Sequence, residues 1–285
     1  MQLPNIVVRT ISGAVFVGLI IGALLVPSSV PFGILFSLLM MLAVREFHTL
    51  TNDKHQADVG PWVGMLGGLL LFVGEYLLQE GDYPMPWAVA VLEVAYPMFI
   101  AGFVIYQIFG KRENPVRSIA YFVAGQVVIA YPFALLCSLY NKPLLLLAVF
   151  VTIWVNDTWA YLFGTMLGKH KMIPRVSPGK SWEGFVGGAV MSLLTGWLCS
   201  LVMPEYSVWM WMLFAEVIVV FGTLGDLTES LFKRTLGVKD SGNLIPGHGG
   251  VLDRLDSTLL AVPAMHILLT ILDIINGNTL FALTL

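Results

Sequence analysis

Apolar stretches of about 20 residues recur along almost the whole 285-residue chain, and they restrict its possible folds more than any other feature. A helix needs roughly 20 apolar residues to cross the hydrocarbon core of a bilayer. Hydrophobic residues make up 57% of the chain and charged residues only 12%, about half the charged share of an average soluble domain. We therefore predict an all-α polytopic membrane protein with about nine transmembrane helices. The predicted spans are 11–26, 31–44, 61–78, 87–109, 119–139, 143–167, 184–203, 208–225 and 258–275.

The basic residues alternate with these spans and predict an orientation. If the N-terminus lies in the cytoplasm, 14 of the 15 Lys and Arg residues fall in cytoplasmic segments and only Lys142 falls outside. Lys and Arg are enriched in cytoplasmic loops of membrane proteins. We therefore expect a cytoplasmic N-terminus and a polar site on the cytoplasmic side of the C-terminal half.

The chain divides into an N-terminal region, 1–140, with about five spans and a C-terminal region, 141–285, with about four. No Gly/Ser-rich or Pro-rich linker separates the two regions, so we expect one integral unit. The C-terminal region contains the two most polar cytoplasmic loops, 168–183 and 226–257, and is the predicted catalytic part. The net charge of −3 offers no general basic field for nucleic acid, and no nucleic-acid partner is expected.

A polar patch lies toward the inner end of the sixth predicted span. It contains Asn156, Asp157 and Tyr161, and the last two are four residues apart on a helix. Lipid offers no hydrogen-bonding partner to such groups, so they must be satisfied inside the helix bundle. The patch either faces a functional site or bonds one helix to another.

A second polar segment, 177–184, begins the seventh predicted span and contains Ser177, Lys180 and Ser181. Its Gly-Lys-Ser sequence is not a phosphate-binding P-loop, because Pro174 stands where that motif needs Gly and no strand is expected before it. A lysine beside a helix N-terminus can still bind phosphate. The alternative is a lysine that anchors the helix at the membrane face, with a Ser cap.

Acidic, basic and glycine residues are most concentrated between 226 and 257. Two groups of carboxylates flank a loop that carries a lysine, a histidine and two adjacent glycines. Carboxylates bind Mg²⁺ together with substrate phosphate oxygens, Lys and Arg bind the remaining phosphate oxygens, and glycine allows close backbone approach. The groups are Asp226 and Glu229, then Asp253 and Asp256, with Lys239, His248, Gly249 and Gly250 between them. A solvated loop of mixed charge is the alternative.

His248 has no second His or Cys at metal-ligand spacing, which argues against a zinc site. It either bonds a phosphate, orients a carboxylate or holds the loop, and the sequence does not choose among these.

The last segment resembles the signature of the phosphatidate cytidylyltransferase (CDP-diacylglycerol synthase) family. The resemblance spans about 27 residues, from Ser230 to Asp256, and it includes Pro246-Gly247-His248-Gly249-Gly250 and Asp253-Arg254-x-Asp256 without a departure. The segments Asn156–Tyr161 and Ser177–Gly184 are similar to the family's other polar motifs. Residues 1–140 carry little specific motif.

This resemblance implies a bacterial inner-membrane enzyme that converts CTP and phosphatidic acid to CDP-diacylglycerol and pyrophosphate. It also implies a requirement for Mg²⁺, with a second cation as a further possibility, and a homodimer of multi-span helical subunits embedded in membrane lipid.

For this chemistry we assign roles to the polar residues as a hypothesis. The expected metal ligands are Asp226 and Asp253, with Glu229 and Asp256 as further ligands and Asp157 close to the site. The residues expected to hold the triphosphate and the lipid phosphate are Lys180, Lys233, Arg234, Lys239 and Arg254. The remaining expected substrate contacts are Ser177, Ser181, His248, Gly249, Gly250 and Asn156.

Two other functions are less compatible with the sequence. A CDP-alcohol phosphotransferase would carry an Asp-Gly dipeptide and a different spacing of aspartates, and this chain has no Asp-Gly. A transporter would show internal repeats and helices broken near mid-membrane. Here the polar residues are instead predicted to collect on one face.

Overall fold

The structure, a computed structural model, describes residues 5–55, 57–79, 86–111, 113–245 and 249–276, and helices dominate it. The helices are α1 (Asn5–Leu25), α2 (Ser29–His55), α3 (Pro61–Gln79), α4 (Pro86–Ala90), α5 (Tyr96–Phe109), α6 (Pro115–Ala124), α7 (Tyr131–Tyr140), α8 (Pro143–Leu167), α9 (Trp182–Val202), α10 (Val208–Thr235), α11 (Leu252–Leu255) and α12 (Thr258–Ile275). Two short strands, β1 (Lys171–Ile173) and β2 (Ser177–Ser181), form the one sheet of the described residues.

Eight helical segments within the described residues are long and apolar enough to cross a membrane, and a shorter apolar helix covers Arg9–Leu25. These nine segments correspond to the nine predicted spans, so the all-α polytopic membrane fold is confirmed. Several helices run past the predicted limits. α2 continues from the predicted end at 44 to His55, and α10 continues from the predicted end at 225 to Thr235. The first part of the expected 226–257 loop is therefore helical.

Two of the spans contain a wider π-helical turn, at Val91–Ala95 and at Gly125–Ala130. Each turn comes immediately before a Tyr-Pro pair, with Pro97 and Pro132 in the first turn of the α-helix that follows. Proline lacks an N–H and its ring collides with the carbonyl four residues earlier. Widening the preceding turn keeps the helix continuous across the proline.

The chain folds as two compact units. Unit 1 contains residues 1–143 and 235–255, and unit 2 contains residues 144–234 and 256–285. The segment 235–255, which contains much of the signature, therefore packs with the N-terminal helices. In unit 1, α2 packs against α3 and α3 against α7. Phe32 is at the centre of this contact, 4.8 Å from Phe36 and 6.4 Å from Phe72 between ring centroids.

Unit 2 contains α8, α9, α10 and α12, with the β1–β2 hairpin between α8 and α9. The hairpin is antiparallel and pairs Lys171 with Ser181 and Ile173 with Ser177. No strand is expected here from the sequence, and the prediction is wrong on this point because β1 and β2 pair before α9. The P-loop remains excluded, since Pro174 still occupies the required glycine position.

Glycines bring α8 and α9 close together in unit 2. A Cβ added to Gly184 would lie 2.6 Å from the carbonyl oxygen of Ala160, which is too close for any real side chain. A Cβ added to Gly188 would overlap the side-chain oxygen of Asn156. Small residues are typical of helix crossings in membrane proteins. Lipid provides no hydrophobic force that drives the helices together, so their association depends on close packing of the two backbones.

Candidate functional site

Four carboxylates of unit 2 form what we call the acidic cluster: Asp157, Asp226, Glu229 and Asp256. The half-buried carboxyl of Asp256 lies within electrostatic range of the other three, and Asp226 has the strongest effect on it. Asp226 and Glu229 lie one turn apart on α10, Asp157 lies on α8, and Asp256 precedes α12. These four carboxylates therefore lie close together within one unit, whereas Asp253, the other expected principal ligand, belongs to unit 1.

Two lysines pair with the acidic cluster. The ammonium of Lys180 lies 2.7 Å from the carboxylate of Asp226, and about a quarter of each side chain is exposed. Lys233 pairs with Glu229 one helical turn away, and the Glu229 side chain is only 2% exposed. The cluster thus sets four carboxylates against two lysines. A surplus of hard oxygen donors in a partly buried setting attracts cations.

Local structure explains why these side chains meet. Ser230 donates its hydroxyl to Asp226 over 3.2 Å along one face of α10. Gly225 lies opposite the chain at Asp256, and a Cβ there would stand 2.6 Å from the Asp256 carbonyl oxygen. The absence of a side chain at 225 therefore lets Asp256 approach the helix that carries Asp226.

The polar patch of α8 separates into a buried and an exposed part. Asn156 is 4% exposed, and its side-chain oxygen has no hydrogen-bond partner among the described residues. Asp157 and Tyr161 are exposed. Because an unpaired buried carbonyl is costly, Asn156 is suited to accept a bond from a ligand or a water molecule.

The β1–β2 hairpin presents Lys180 and ends at a helix cap. Ser181 is buried, and its hydroxyl accepts a hydrogen bond from the Gly184 N–H over 3.1 Å at the start of α9. This geometry agrees with the Ser-cap alternative of the sequence analysis. Ser177 is partly buried on β2, and the Arg234 side chain donates to the Val176 carbonyl over 3.3 Å beside it.

In unit 1 the signature loop is residues 239–252, of which 239–245 and 249–252 are described, and the Asp253 carboxylate bonds both of these described parts. That carboxylate accepts bonds from the Ser241 N–H at 2.9 Å and from the Gly250 N–H at 2.8 Å. Gly249 has φ +86°, a backbone conformation that residues with a side chain rarely adopt. A Cβ there would lie 2.7 Å from the Asp253 carboxylate. The structure thus places Asp253 as an organiser of its own loop.

The other basic residues of the signature lie at the surface. Lys239 and Arg254 belong to unit 1 and are exposed, and Arg234 on α10 of unit 2 is also exposed. His248, with Pro246 and Gly247, lies outside the described residues.

Glu46 is a buried residue of α2 that the sequence analysis did not select. Its carboxylate accepts hydrogen bonds from the N–H groups of Val251 and Leu252, both at 3.0 Å. The predicted second span ends at 44, so Glu46 lies just beyond its predicted limit. The only signal in the sequence is an acidic residue between buried positions of a helix, which does not reveal a partner 205 residues away.

The described residues contain no group of three or more His, Cys, Asp or Glu side chains that could hold a metal ion by itself. Mg²⁺ usually binds through one or two carboxylates and completes its shell with water and substrate phosphate oxygens. The acidic cluster fits a cation of that kind, which would bind together with a phosphate ligand.

Fold and site together define an integral membrane protein with an acid–base cluster suited to phosphate chemistry. The comparison with protein families places it more narrowly, since the cytidylyltransferase family model matches residues 7–272. The chain therefore belongs to the cytidylyltransferase family.

Its relatives include bacterial enzymes named phosphatidate cytidylyltransferase. The one from Staphylococcus aureus is 33% identical over 237 residues, which cover 82% of this chain and 87% of the relative. The one from Staphylococcus saprophyticus is 48% identical over 126 residues, or 44% of this chain and 48% of the relative. As a member of this family, the chain is a nucleotidyltransferase enzyme.

Proposed function

We propose that the protein is a phosphatidate cytidylyltransferase, which makes CDP-diacylglycerol and pyrophosphate from CTP and phosphatidic acid. Family membership and the names of the relatives support this reaction. The observation in the structure that carries it is the acidic cluster with its two lysines. A reaction between two polyanions needs cations at the site, and a lipid substrate needs that site within a membrane protein.

The reaction proceeds by in-line attack. An oxygen of the phosphatidic acid phosphate forms a bond to the α-phosphorus of CTP, the bond from that phosphorus to the β-phosphate oxygen breaks, and pyrophosphate leaves. The second pKa of a phosphate monoester is about 6, so the attacking group is largely dianionic at neutral pH. A strong general base is therefore unnecessary.

The side chains of this chain bind and orient the two phosphates. Lys180 pairs with Asp226 and Lys233 with Glu229 in the structure. Both lysines would bind phosphate oxygens when substrate enters. Arg234, Lys239 and Arg254 serve the same purpose by hypothesis. Asn156 would not bind phosphate through its unpaired side-chain oxygen, which can only accept a bond from an N–H or O–H donor of a substrate or a water molecule.

Mg²⁺ is the proposed cofactor, and a second cation is allowed by the number of carboxylates. Asp226 would hold the ion together with one neighbouring carboxylate of the cluster, Glu229 or Asp256, and Asp157 lies nearby. When bound, the ion would neutralise charge on the phosphates. Asp253 was proposed as a ligand from the sequence. In the structure its carboxylate accepts the N–H groups of Ser241 and Gly250 and so holds the loop. A cation bound by Asp253 would have to share the carboxylate with these two bonds.

The setting proposed for this reaction is the inner membrane of a bacterium, with the site facing the cytoplasm, where CTP is present. We also propose a homodimer, as the family resemblance implies, and no nucleic-acid partner.

Purified protein tests the reaction directly. Labelled CTP should enter a lipid-extractable product only when both phosphatidic acid and Mg²⁺ are present, with release of pyrophosphate. Folded protein that forms no such product would contradict the proposal. Movement of CTP or lipid across a vesicle membrane without chemistry would instead indicate transport.

A further inference from the structure

We infer that Glu46 is a positioning residue, which holds the signature loop in its working conformation from the N-terminal half of the chain. The inference builds on the proposed function, since it assigns a residue to the loop that the reaction is proposed to use. Glu46 lies on α2, outside every motif of the sequence analysis, and all its contacts described below lie within unit 1.

The Glu46 carboxylate is buried and surrounded by the signature loop. Oε1 accepts the Val251 N–H at 3.0 Å, while Oε2 accepts the Leu252 N–H at 3.0 Å and the Ser241 hydroxyl at 3.1 Å. Its side chain is 6% exposed, and no Lys or Arg among the described residues pairs with it. The carboxylate oxygens therefore accept three hydrogen bonds from donors of the loop.

Two glycines show that the fit between loop and carboxylate is tight. A Cβ on Gly242 would lie 2.7 Å from Glu46 Oε1, and a Cβ on Gly250 would overlap both Glu46 Oε2 and the Ser241 hydroxyl. Gly250 belongs to the signature. Its lack of a side chain is explained here by contact with Glu46, since the loop backbone must approach the carboxylate directly.

Glu46 and Asp253 accept hydrogen bonds from different backbone N–H groups of the loop. Asp253 takes the N–H groups of Ser241 and Gly250, and Glu46 takes those of Val251 and Leu252. Four backbone N–H groups thus point at protein carboxylates, and they are not available to substrate phosphate. Two side chains remain exposed for phosphate, Lys239 in the loop and Arg254 just after it.

A carboxylate is required at position 46 because all three bonds need an acceptor. In Glu46→Gln the amide nitrogen replaces one acceptor with a donor, which then faces a backbone N–H. The Gln side chain keeps the shape and size of Glu, but one of the hydrogen-bonded contacts with the loop is lost. Glu46→Asp keeps both oxygens but shortens their reach by one methylene.

The test compares full-length Glu46→Gln, Glu46→Asp and Ser241→Ala, with Glu75→Gln as the matched control. Glu75 is a buried carboxyl of α3 in the same unit and forms no described contact with the loop. Amide hydrogen exchange of peptides covering 249–256, and kcat and KM for CTP, are measured at a temperature where every variant is folded.

In Glu46→Gln we expect exchange at Val251 and Leu252 to rise at least about tenfold, with α3 and α8 unchanged. The value of kcat should fall at least about tenfold, because a small displacement of binding groups costs that much, while KM for CTP changes less. Glu46→Asp should recover part of both losses. Ser241→Ala added to Glu46→Gln should cause no further loss, because both act through one contact.

Wild-type exchange and wild-type kcat in Glu46→Gln would overturn the inference, as would an equal effect of Glu75→Gln. If Glu46→Gln does not fold, Ser241→Ala decides by the same two readouts. Failure of the proposed function is distinguishable, since wild-type protein would then form no lipid product while the exchange result would still report on the loop.

Discussion

The ion pair between Lys180 and Asp226 joins the hairpin to α10 at the acidic cluster. For Asp226→Asn we expect the rate of CDP-diacylglycerol formation to fall at least about 100-fold, since a charged group at a polyanionic reaction centre contributes on this scale. Membrane insertion should remain intact, because the side chain keeps its size. The assay is product formation at saturating substrates, with Asp273→Asn near the end of α12 as the control. A rate within threefold of wild type, about 0.6 kcal/mol, would contradict the role of Asp226.

Ser181 was selected from the sequence as a substrate contact, and the structure places its buried hydroxyl on the α9 cap. We expect Ser181→Ala to lower the free energy of unfolding by about 1 kcal/mol, the usual value of such a cap. The KM for CTP should change little, because the hydroxyl is bonded to the Gly184 N–H. Thermal unfolding in detergent and CTP kinetics measure the two effects. A large rise in KM with unchanged stability would contradict the cap role and support Ser181 as a substrate contact.

At the scale of single residues, the sequence predicted which residue types belong to the site better than it predicted their hydrogen-bond partners. The glycines at 249 and 250 were expected to allow close backbone approach, and in the structure they allow it toward the carboxylates of Asp253 and Glu46. Glu46 could not be found in this way. Its role depends on three donors about 200 residues further along the chain, and no local pattern in α2 distinguishes it from a solvated acidic residue.

At the scale of helices, the crossing of α8 and α9 depends on glycine at 188. We expect Gly188→Ala to destabilise the protein by about 1–3 kcal/mol, because the added methyl overlaps the Asn156 side chain and a close-packed crossing must shift. Activity should fall as well, since Asn156 would move.

Gly102→Ala is the matched control for this substitution. Gly102 lies on the exposed surface of α5 with no atom within 4 Å of the added Cβ, so alanine there should be neutral or stabilising by up to about 1 kcal/mol. Thermal unfolding of both variants in one detergent decides the matter. Equal melting temperatures would show that α8 and α9 can separate at no cost.

Hydropathy was sufficient to predict the helices but insufficient to locate their polar ends. The α10 span was predicted to stop at 225 because charged residues begin there, although the helix continues to Thr235. This continuation is what places Asp226 and Glu229 on one face. Similarly, a hairpin of only eight strand residues between α8 and α9 has too few residues for a period-two pattern to stand out.

At the scale of the whole molecule, the division into units could not be predicted from the sequence. Residues 235–255 follow α10 directly, and sequence proximity suggested that they belong with the C-terminal helices. In the structure they pack with unit 1, because the buried Glu46 carboxylate and the loop donors satisfy one another there. Long-range polar contacts of this kind leave no periodic trace in the chain.

The orientation of the whole molecule remains a prediction that rests on 14 of its 15 basic residues. It can be tested with single cysteines in a background where Cys137 and Cys199 are replaced by alanine. Lys171→Cys on the exposed β1–β2 hairpin should react with a membrane-impermeant maleimide only after the membrane is opened. Glu205→Cys, exposed in the turn between α9 and α10, should react in intact spheroplasts.

The two positions lie at opposite ends of α9, so a helix that spans the membrane must separate them. The opposite labelling pattern would invert the topology and place the acidic cluster away from cytoplasmic CTP, which would contradict the proposed reaction. Labelling of both positions in intact cells would instead contradict the assignment of α9 as a span. The expected pattern, measured beside the cysteine-free parent, would place the Lys180–Asp226 pair on the side where CTP is supplied.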